Sequence, residues 1–162
     1  MRIATKSSKL NISKLENTKK IADIFAKNIF KGNVILFYGE IGVGKTTFIK
    51  FLVNSLEKID KKNISEITSP TFSLMNQYKL NKFDIHHYDL YRLKSEKDIL
   101  SLNIFEDLSD KIVLIEWPEI LGEHKPRNTI DINFEYGENF NSRYLTISAY
   151  EKLKIFDEFK SL

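Results

Sequence analysis

One stretch of the chain places glycine, lysine and threonine at the spacing that binds phosphate. It reads Gly39-Glu40-Ile41-Gly42-Val43-Gly44-Lys45-Thr46-Thr47 and matches the pattern GxxxxGK[ST] of a P-loop. Glycine lets backbone amides approach phosphate oxygens closely, and a helix that starts near Lys45 directs its free N–H groups at them. We expect the Lys45 ammonium to bind the β- and γ-phosphates and the Thr46 hydroxyl to ligate a bridging Mg²⁺. The sequence therefore predicts a nucleoside triphosphate site.

Two carboxylates stand where such a site needs them. A P-loop is completed by an acidic side chain at the carboxyl end of a neighbouring strand, where it holds Mg²⁺ directly or through water and orients an attacking water. Asp89 follows the predicted strand 83–88, and Glu116 follows the apolar run 112–115. Spacing alone does not divide these roles, and each carboxylate has the alternative of capping the next element. Because its strand is the more apolar, we favour Glu116 as the metal ligand.

Other side chains near these positions have a functional and a structural interpretation. Trp117 either forms an exposed contact surface or packs over a strand end. Arg92 either reaches a phosphate or partner or makes a surface ion pair. Thr18 either touches a bound base or is a plain surface threonine. His86 and His87 are adjacent on a predicted strand, so they point to opposite faces and are not expected to chelate one ion.

The elements that must position these groups alternate between strand and helix. A capping box at residues 13–16 opens a helix that runs to Gly32, and a second box at 95–98 opens a helix that runs to Leu102. The P-loop lies between a strand at 33–38 and a helix at 45–56. Further strands are predicted at 72–78, 83–88, 112–115, 129–134 and 143–149, and a closing helix at 151–159. These elements predict an α/β fold of the P-loop NTPase type, a three-layer sandwich. Because some strands cluster without intervening helices, we expect a mixed sheet with a parallel core and antiparallel members.

Length and composition limit the alternatives. The 162 residues predict one domain, residues 1–162. The formal charge is +3 and the lysines are scattered, densest at Lys58, Lys61 and Lys62, so a strong nucleic-acid surface is not predicted. The chain has no cysteine, which fits a reducing cytosol. It also has no apolar run near the ~20 residues that span a bilayer, and its first residues lack a signal-peptide core. We expect a soluble, cytoplasmic protein without a membrane partner.

Four blocks of the chain together resemble the TsaE (YjeE) family. They are the P-loop with Phe48, then Ser69-Pro70-Thr71-Phe72, then His87-Tyr88-Asp89-Leu90-Tyr91-Arg92-Leu93, then Glu116-Trp117-Pro118. They occur in the family's order, and the resemblance covers about residues 10–150. The P-loop alone is compatible with many functions, whereas the later blocks in combination are specific. This family consists of small bacterial P-loop ATPases required for the tRNA threonylcarbamoyladenosine (t6A) modification.

The resemblance implies both an activity and partners. A member of this family is a Mg-dependent ATPase that binds the TsaB and TsaD proteins and supports turnover of their complex, contacting tRNA only indirectly through it. Residue by residue, it implies that Lys45 and Thr46 serve phosphate and Mg²⁺, that Glu116 completes the metal site and that Asp89 is important for hydrolysis. It also implies switch-like segments around Thr71 and around residues 89–92.

The chain departs from the family pattern in a few places. The family usually has aspartate and leucine where Glu40 and Ile41 stand, and a small residue at Val43. These changes are conservative and leave the phosphate site intact. The stretch between Lys45 and Ser69 is a few residues longer than usual, which leaves the loop at 58–64 without a family role.

Two other functions compete with the ATPase. A small P-loop kinase would transfer the γ-phosphoryl group to a metabolite, and such kinases usually carry a lid with several arginines. Here the only arginines are Arg2, Arg92, Arg127 and Arg143, which disfavours this alternative. A GTP-binding switch would need an Asn-Lys-x-Asp motif after a strand, whereas the one match, at residues 81–84, precedes one.

Overall fold

The computed structural model describes residues 5–150 and 155–159, and its centre is one eight-stranded mixed sheet. The strands are β1 (Thr5–Lys6), β2 (Leu10–Asn11), β3 (Val34–Tyr38), β4 (Met75–Lys79), β5 (Asp84–Asp89), β6 (Lys111–Glu116), β7 (Thr129–Tyr136) and β8 (Arg143–Ala149). Four α-helices accompany them: α1 (Leu15–Asn28), α2 (Lys45–Ile59), α3 (Glu96–Ser101) and α4 (Ile155–Phe159). Two 3₁₀ segments, Leu108–Asp110 and Pro118–His124, flank β6.

The sheet has a parallel centre and antiparallel edges. Its order is β1-β8-β7-β3-β6-β5-β4, and β2 also pairs with β8. Strands β7, β3, β6 and β5 are mutually parallel, whereas β4, β8, β1 and β2 pair antiparallel. Parallel strands have their carboxyl ends at the same edge, so the P-loop and both carboxylates emerge together. The predicted mixed sheet is confirmed.

Two hydrophobic cores cover the two faces of the sheet. Phe37 of β3 packs against Phe48 of α2, with ring centroids 6.1 Å apart, and Phe48 in turn packs against Phe25 of α1. Leu36, on the opposite face of β3, belongs to a second core with Ile99 of α3. Side chains alternate between faces along a strand, so β3 is buried from both sides. This is the predicted three-layer α/β sandwich.

Several element ends differ from the sequence-based prediction. The capping box at residues 13–16 is wrong: α1 starts after Lys14 without a side-chain cap, because the Ser13 hydroxyl accepts a hydrogen bond from the Arg143 amide of β8 instead. That helix ends at Asn28, before Gly32. The second box is confirmed, with Asp98 N donating to the Ser95 hydroxyl.

Strand β4 begins three residues later than predicted, because residues 70–74 form a turn in which Leu74 N donates to Pro70 O at 2.7 Å. The predicted closing helix is present as α4, while residues 151–154 of that prediction lie outside the described residues. β1 and β2 were not predicted, since two residues carry no periodicity. Among the described residues, no helix has the length and apolar character needed to cross a bilayer.

Candidate functional site

Neighbouring strands β5 and β6 bring two carboxylates to one edge of the sheet. Asp89 and Glu116 are the last residues of these strands and pair in register. Alternation places Glu116 on the same face as Ile112 and Leu114, which pack in the core beneath α2. Both carboxylates are buried, at 3% and 2% exposed. The β6 face therefore changes from apolar to acidic at its carboxyl end, where the P-loop leaves β3.

The P-loop is held against β7 by close contacts. Gly39 has φ 137°, and a Cβ there would stand 2.7 Å from the Phe134 carbonyl oxygen, so only glycine fits. The Tyr136 hydroxyl donates to the Ile41 carbonyl at 3.2 Å. Helix α2 begins at Lys45 directly after the loop, and the N–H groups of its first turn have no acceptor within the helix. They and the positive end of the helix dipole make this loop an anion-binding element.

Lys45 is buried beside the loop and is held by neutral partners. Its Nζ donates to the carbonyl oxygens of Gly39 and Glu40, at 2.5 and 2.9 Å, and lies 3.9 Å from the ring centroid of Trp117. Burial lowers the pKa of this ammonium, although the nearby carboxylates, Glu116 foremost, oppose that shift. A buried cation with partners that are mostly neutral would be stabilised by an anionic ligand.

Thr46 contacts Glu116, and the contact joins α2 to β6. The Thr46 hydroxyl lies 2.8 Å from Oε2 and 3.1 Å from Oε1 of that carboxylate. A hydroxyl and a carboxylate are oxygen ligands of the type that Mg²⁺ prefers. These two residues therefore fit the predicted metal site.

Asp89 is held by three donors. Its Oδ2 accepts hydrogen bonds from the Ser69 and Thr71 hydroxyls at 2.6 and 2.8 Å, and its Oδ1 accepts one from the Tyr91 amide at 3.0 Å. The two hydroxyls also lie 3.0 Å apart. Asp89 thus ties the loop before β4 to the turn after β5.

One cavity of about 350 Å³ collects these groups. It is lined by Ile41, Gly42, Gly44, Lys45, Thr46, Thr47, Ser69, Thr71, Asp89, Tyr91, Glu116 and Trp117. Of the predicted site residues, Gly39, Glu40 and Val43 line a neighbouring cavity on the β7 side of the P-loop instead. Outside the P-loop, the cavity is lined by two carboxylates and by the hydroxyl-bearing side chains of Ser69, Thr71 and Tyr91. This combination of groups suits a polyphosphate with a divalent cation.

The structure places Trp117, Arg92 and Thr18, each of which has two interpretations from the sequence. Trp117 packs over the strand end and lines the cavity, with its ring 4.9 Å from that of Tyr91. Arg92 lies over the exposed ring of Phe72 at 5.3 Å. Thr18 is neither a surface residue nor a cavity-lining one: it is 3% exposed and its hydroxyl contacts the Ile12 carbonyl.

Three side-chain contacts of the site, Ser69 with Asp89, Thr71 with Asp89 and His87 with Glu116, were not predicted from the sequence. The hydrogen bonds of Ser69 and Thr71 to Asp89 join positions 20 and 18 residues apart, and no spacing rule connects a loop to a strand end at that distance. His87 contacts Glu116 at 2.8 Å. His87 stands two residues before Asp89 on a predicted strand, so both side chains lie on the same face. This spacing could have predicted that His87 lies near the site.

Comparison with known proteins places the chain among relatives along most of its length. The family model "Threonylcarbamoyl adenosine biosynthesis protein TsaE" matches residues 12–145. A relative from Rickettsia conorii, named tRNA threonylcarbamoyladenosine biosynthesis protein TsaE, is 37% identical over 137 residues, which are 85% of this chain and 75% of the relative. A relative of the same name from Nostoc sp. is 34% identical over 88% of this chain and 86% of the relative.

A solved structure is similar in fold. The crystal structure of Bacillus subtilis YdiB superimposes with a TM-score of 0.74 over 99% of this chain and 97% of that one, at 23% identity. The four sequence blocks, the family model and the curated relatives all agree. The chain belongs to the TsaE family.

Proposed function

We propose that this protein binds Mg-ATP and hydrolyses it in support of the tRNA t6A37 modification. The observation that carries the proposal is the single cavity in which the P-loop, Lys45 and Thr46 face Asp89 and Glu116. Its pathway is inferred from family membership, because the curated relatives are named for tRNA threonylcarbamoyladenosine biosynthesis. The residues and the family thus support an ATPase of this modification.

Each residue has a role that follows from its position. Backbone amides of Gly42, Gly44 and the first turn of α2 would bind the phosphates. Lys45 would exchange the two carbonyl oxygens it now contacts for β- and γ-phosphate oxygens. Thr46 and Glu116 would hold the cation, which neutralises charge that develops on the phosphates.

Hydrolysis requires a water placed in line with the γ-phosphate. Asp89 lines the same cavity as Lys45 and is the group we assign to orient that water. Asp89 Oδ2 now accepts hydrogen bonds from the Ser69 and Thr71 hydroxyls. At least one of these bonds would break when the carboxylate binds the water. The water oxygen bonds to the γ-phosphorus, the bond to the bridging oxygen breaks, and the water's protons pass to the phosphate products and solvent.

We further propose that hydrolysis serves a partner complex of the TsaB and TsaD proteins, through which tRNA is contacted indirectly. Among the described residues no arginine lines the cavity, and an arginine is a common means of stabilising transferred phosphoryl charge. We therefore expect slow turnover by the isolated protein and faster turnover on addition of the partners. A pull-down with TsaB and TsaD, with and without ATP, tests the association. Fast turnover by the isolated protein would contradict the dependence on the partners. Failure to bind TsaB and TsaD in both conditions would favour a kinase.

The site assignment is tested with two carboxamide variants. Asp89→Asn and Glu116→Gln should bind ATP within a few-fold of the parent affinity, because the P-loop is unchanged, and lose most of the hydrolysis, by about 100-fold or more. Asp84→Asn is a matched control, since Asp84 lies at the other end of β5 and contacts Gln77. Binding is measured by calorimetry and hydrolysis by phosphate release. Parent-like turnover in both site variants would remove Asp89 and Glu116 from the mechanism.

A further inference from the structure

A completely buried histidine stands behind the metal-site carboxylate. His87 is 0% exposed, and its Nε2 lies 2.8 Å from Glu116 Oε1. It does not line the cavity, so it would act on a bound ligand only through Glu116. Buried polar side chains need a partner, and Glu116 is the one that the structure provides for this ring.

The two oxygens of Glu116 are held from two directions. His87 approaches Oε1 from β5, and Thr46 approaches Oε2 most closely, at 2.8 Å, from α2. If Mg²⁺ takes the Thr46 hydroxyl as a ligand, that hydroxyl no longer restrains the carboxylate in the same way. The contact with His87 is then the remaining side-chain restraint that the structure shows on Glu116.

Only one nitrogen of the His87 ring, Nε2, has a hydrogen-bond partner among the described residues. Nδ1 of His87 is buried and has no hydrogen-bond partner among the described residues. A proton on Nδ1 would be buried without an acceptor, which is unfavourable. The geometry therefore favours a proton on Nε2, donated to Glu116, and this hydrogen bond orients the carboxylate.

We propose that His87 is a positioning residue that holds Glu116 in the orientation needed to bind the divalent cation. The proposal rests on the proposed Mg-ATP site and deepens it. Its chemistry is that of an outer-shell donor, which orients a carboxylate ligand and tunes metal affinity. The specific consequence is a change in the dependence on Mg²⁺, with little change in how the P-loop binds nucleotide phosphate.

The test compares two amides that differ only in reach. Glutamine has the same number of bonds from Cα to its side-chain nitrogen as histidine has to Nε2, whereas asparagine is one bond shorter. We expect His87→Asn and His87→Leu to raise the Mg²⁺ concentration for half-maximal ATP hydrolysis about 10- to 100-fold. His87→Gln should restore it to within about threefold of the parent, because it still presents a donor to Glu116.

The controls separate positioning from general damage to the fold. ATP affinity measured in EDTA should change less than about threefold in every His87 variant, because the P-loop amides are untouched. His86→Leu is the matched substitution on the opposite face of β5, where the His86 ring neighbours Tyr88, and it should leave the Mg²⁺ dependence at the parent value. Circular dichroism and thermal unfolding confirm that each compared variant is folded.

The outcomes distinguish this proposal from the one beneath it. If the parent protein neither binds nor hydrolyses Mg-ATP, the proposed function fails and this role of His87 fails with it. If the parent is active and His87→Gln and His87→Asn share one Mg²⁺ dependence, only the positioning role is overturned. The positioning role is also overturned if the ATP affinity measured in EDTA falls by as large a factor as the Mg²⁺ concentration for half-maximal hydrolysis rises. That pattern indicates a disturbed P-loop.

Discussion

Lys45 shows how one side chain can be kept ready for an anionic ligand. Its ammonium is buried, and burial lowers its pKa. The ammonium donates to two carbonyl oxygens and lies over the ring of Trp117, all partners without a full negative charge. A polyphosphate offers charge-assisted hydrogen bonds, which are about twice as strong as neutral ones. The polyphosphate of the proposed nucleotide would therefore have an energetic reason to displace the carbonyl oxygens.

Replacement of Lys45 by methionine tests this at the level of a single residue. Lys45→Met keeps the apolar stem and removes the ammonium, so ATP affinity should fall about 100-fold, the equivalent of one strong charge-assisted bond. Calorimetry measures the affinity, and the rise in Tm with ATP should be lost with it. Lys50→Met, an exposed position on the same helix, is the control. Equal ATP affinity in both variants would contradict the role of Lys45.

The P-loop works as an element because the adjacent strand holds it. Gly39 approaches the backbone of β7 too closely for any side chain, and Tyr136 of β7 donates to the loop at Ile41. These contacts fix the loop on its β7 side, while the parallel pairing of β3 with β6 and of β6 with β5 brings the strand ends that carry Asp89 and Glu116 to the same edge of the sheet. The geometry of the site is thus a property of the four parallel strands β7, β3, β6 and β5 and of the loop between β3 and α2.

A glycine comparison tests the importance of the close approach. Gly39→Ala meets the Phe134 carbonyl at 2.7 Å and also has φ 137°, whereas Gly44→Ala has φ 120° but no atom within 4 Å. We expect Gly44→Ala to lower the free energy of unfolding by about 1–2 kcal/mol from backbone strain alone, and Gly39→Ala to lower it by at least 1 kcal/mol more. Urea unfolding measures both. Equal losses would show that the approach to β7 is not limiting.

A second contact between elements predicts pH dependence. Lys125 Nζ lies 2.5 Å from Asp131 Oδ2 and 3.1 Å from the Tyr38 hydroxyl. Burial acts to lower the pKa of Lys125, but the bonds to Asp131 and Tyr38 outweigh it and raise that pKa above 10.5. The pKa of Tyr38 is also raised, above 10.0, and here burial is the main cause. The folded state then keeps protons that the unfolded state loses, so stability is present below these values and falls as pH rises through them.

The expected result is a loss of unfolding free energy above about pH 10. Lys125→Met should flatten this decline, since it removes one of the two coupled groups. Lys82→Met, an exposed position in the turn before β5, should keep the parent slope. Urea unfolding between pH 8 and 11 measures the slopes, and identical slopes for the two variants would refute the prediction.

At the scale of the whole molecule, the aromatic core beneath the sheet supports the site. Phe48 of α2 packs with its ring 6.0 Å from that of Phe25, 6.1 Å from Phe37 and 5.9 Å from Phe134. It thereby joins α1, α2, β3 and β7 three residues after Lys45. Any loosening of this cluster would displace the first turn of α2 and with it the amides that we propose bind phosphate.

Truncation of a buried and an exposed phenylalanine tests this support. Phe48→Ala should lower the free energy of unfolding by about 3–5 kcal/mol, because it leaves a cavity among packed rings. Phe72→Ala should lower it by less than about 1 kcal/mol, because Phe72 is 87% exposed and contacts Arg92 at the surface. Thermal and urea unfolding measure both. Similar losses would mean that the cluster at Phe48 contributes little.

Most of the fold followed from patterns that depend on local chain geometry. The apolar run at 112–115, the glycines before Lys45 and the alternation at Arg143–Ala149 each constrain the backbone within a few residues, and all three elements are present. Element ends were less predictable. Ser13 looked like a cap, but its hydroxyl serves β8, which is 130 residues away in the chain. Tertiary partners of this kind override local preference.

The amino-acid pattern was enough to predict the P-loop and the two strand-end carboxylates, because a P-loop and a strand terminus are local in the chain. Which groups meet at that edge of the sheet follows from the tertiary structure. The in-register pairing of β5 with β6 places Asp89 beside Glu116, the turn at residues 70–74 brings Ser69 and Thr71 to Asp89, and the face alternation of β5 points His87 at Glu116. These contacts join residues far apart in the chain, so they depend on how the strands pair and pack.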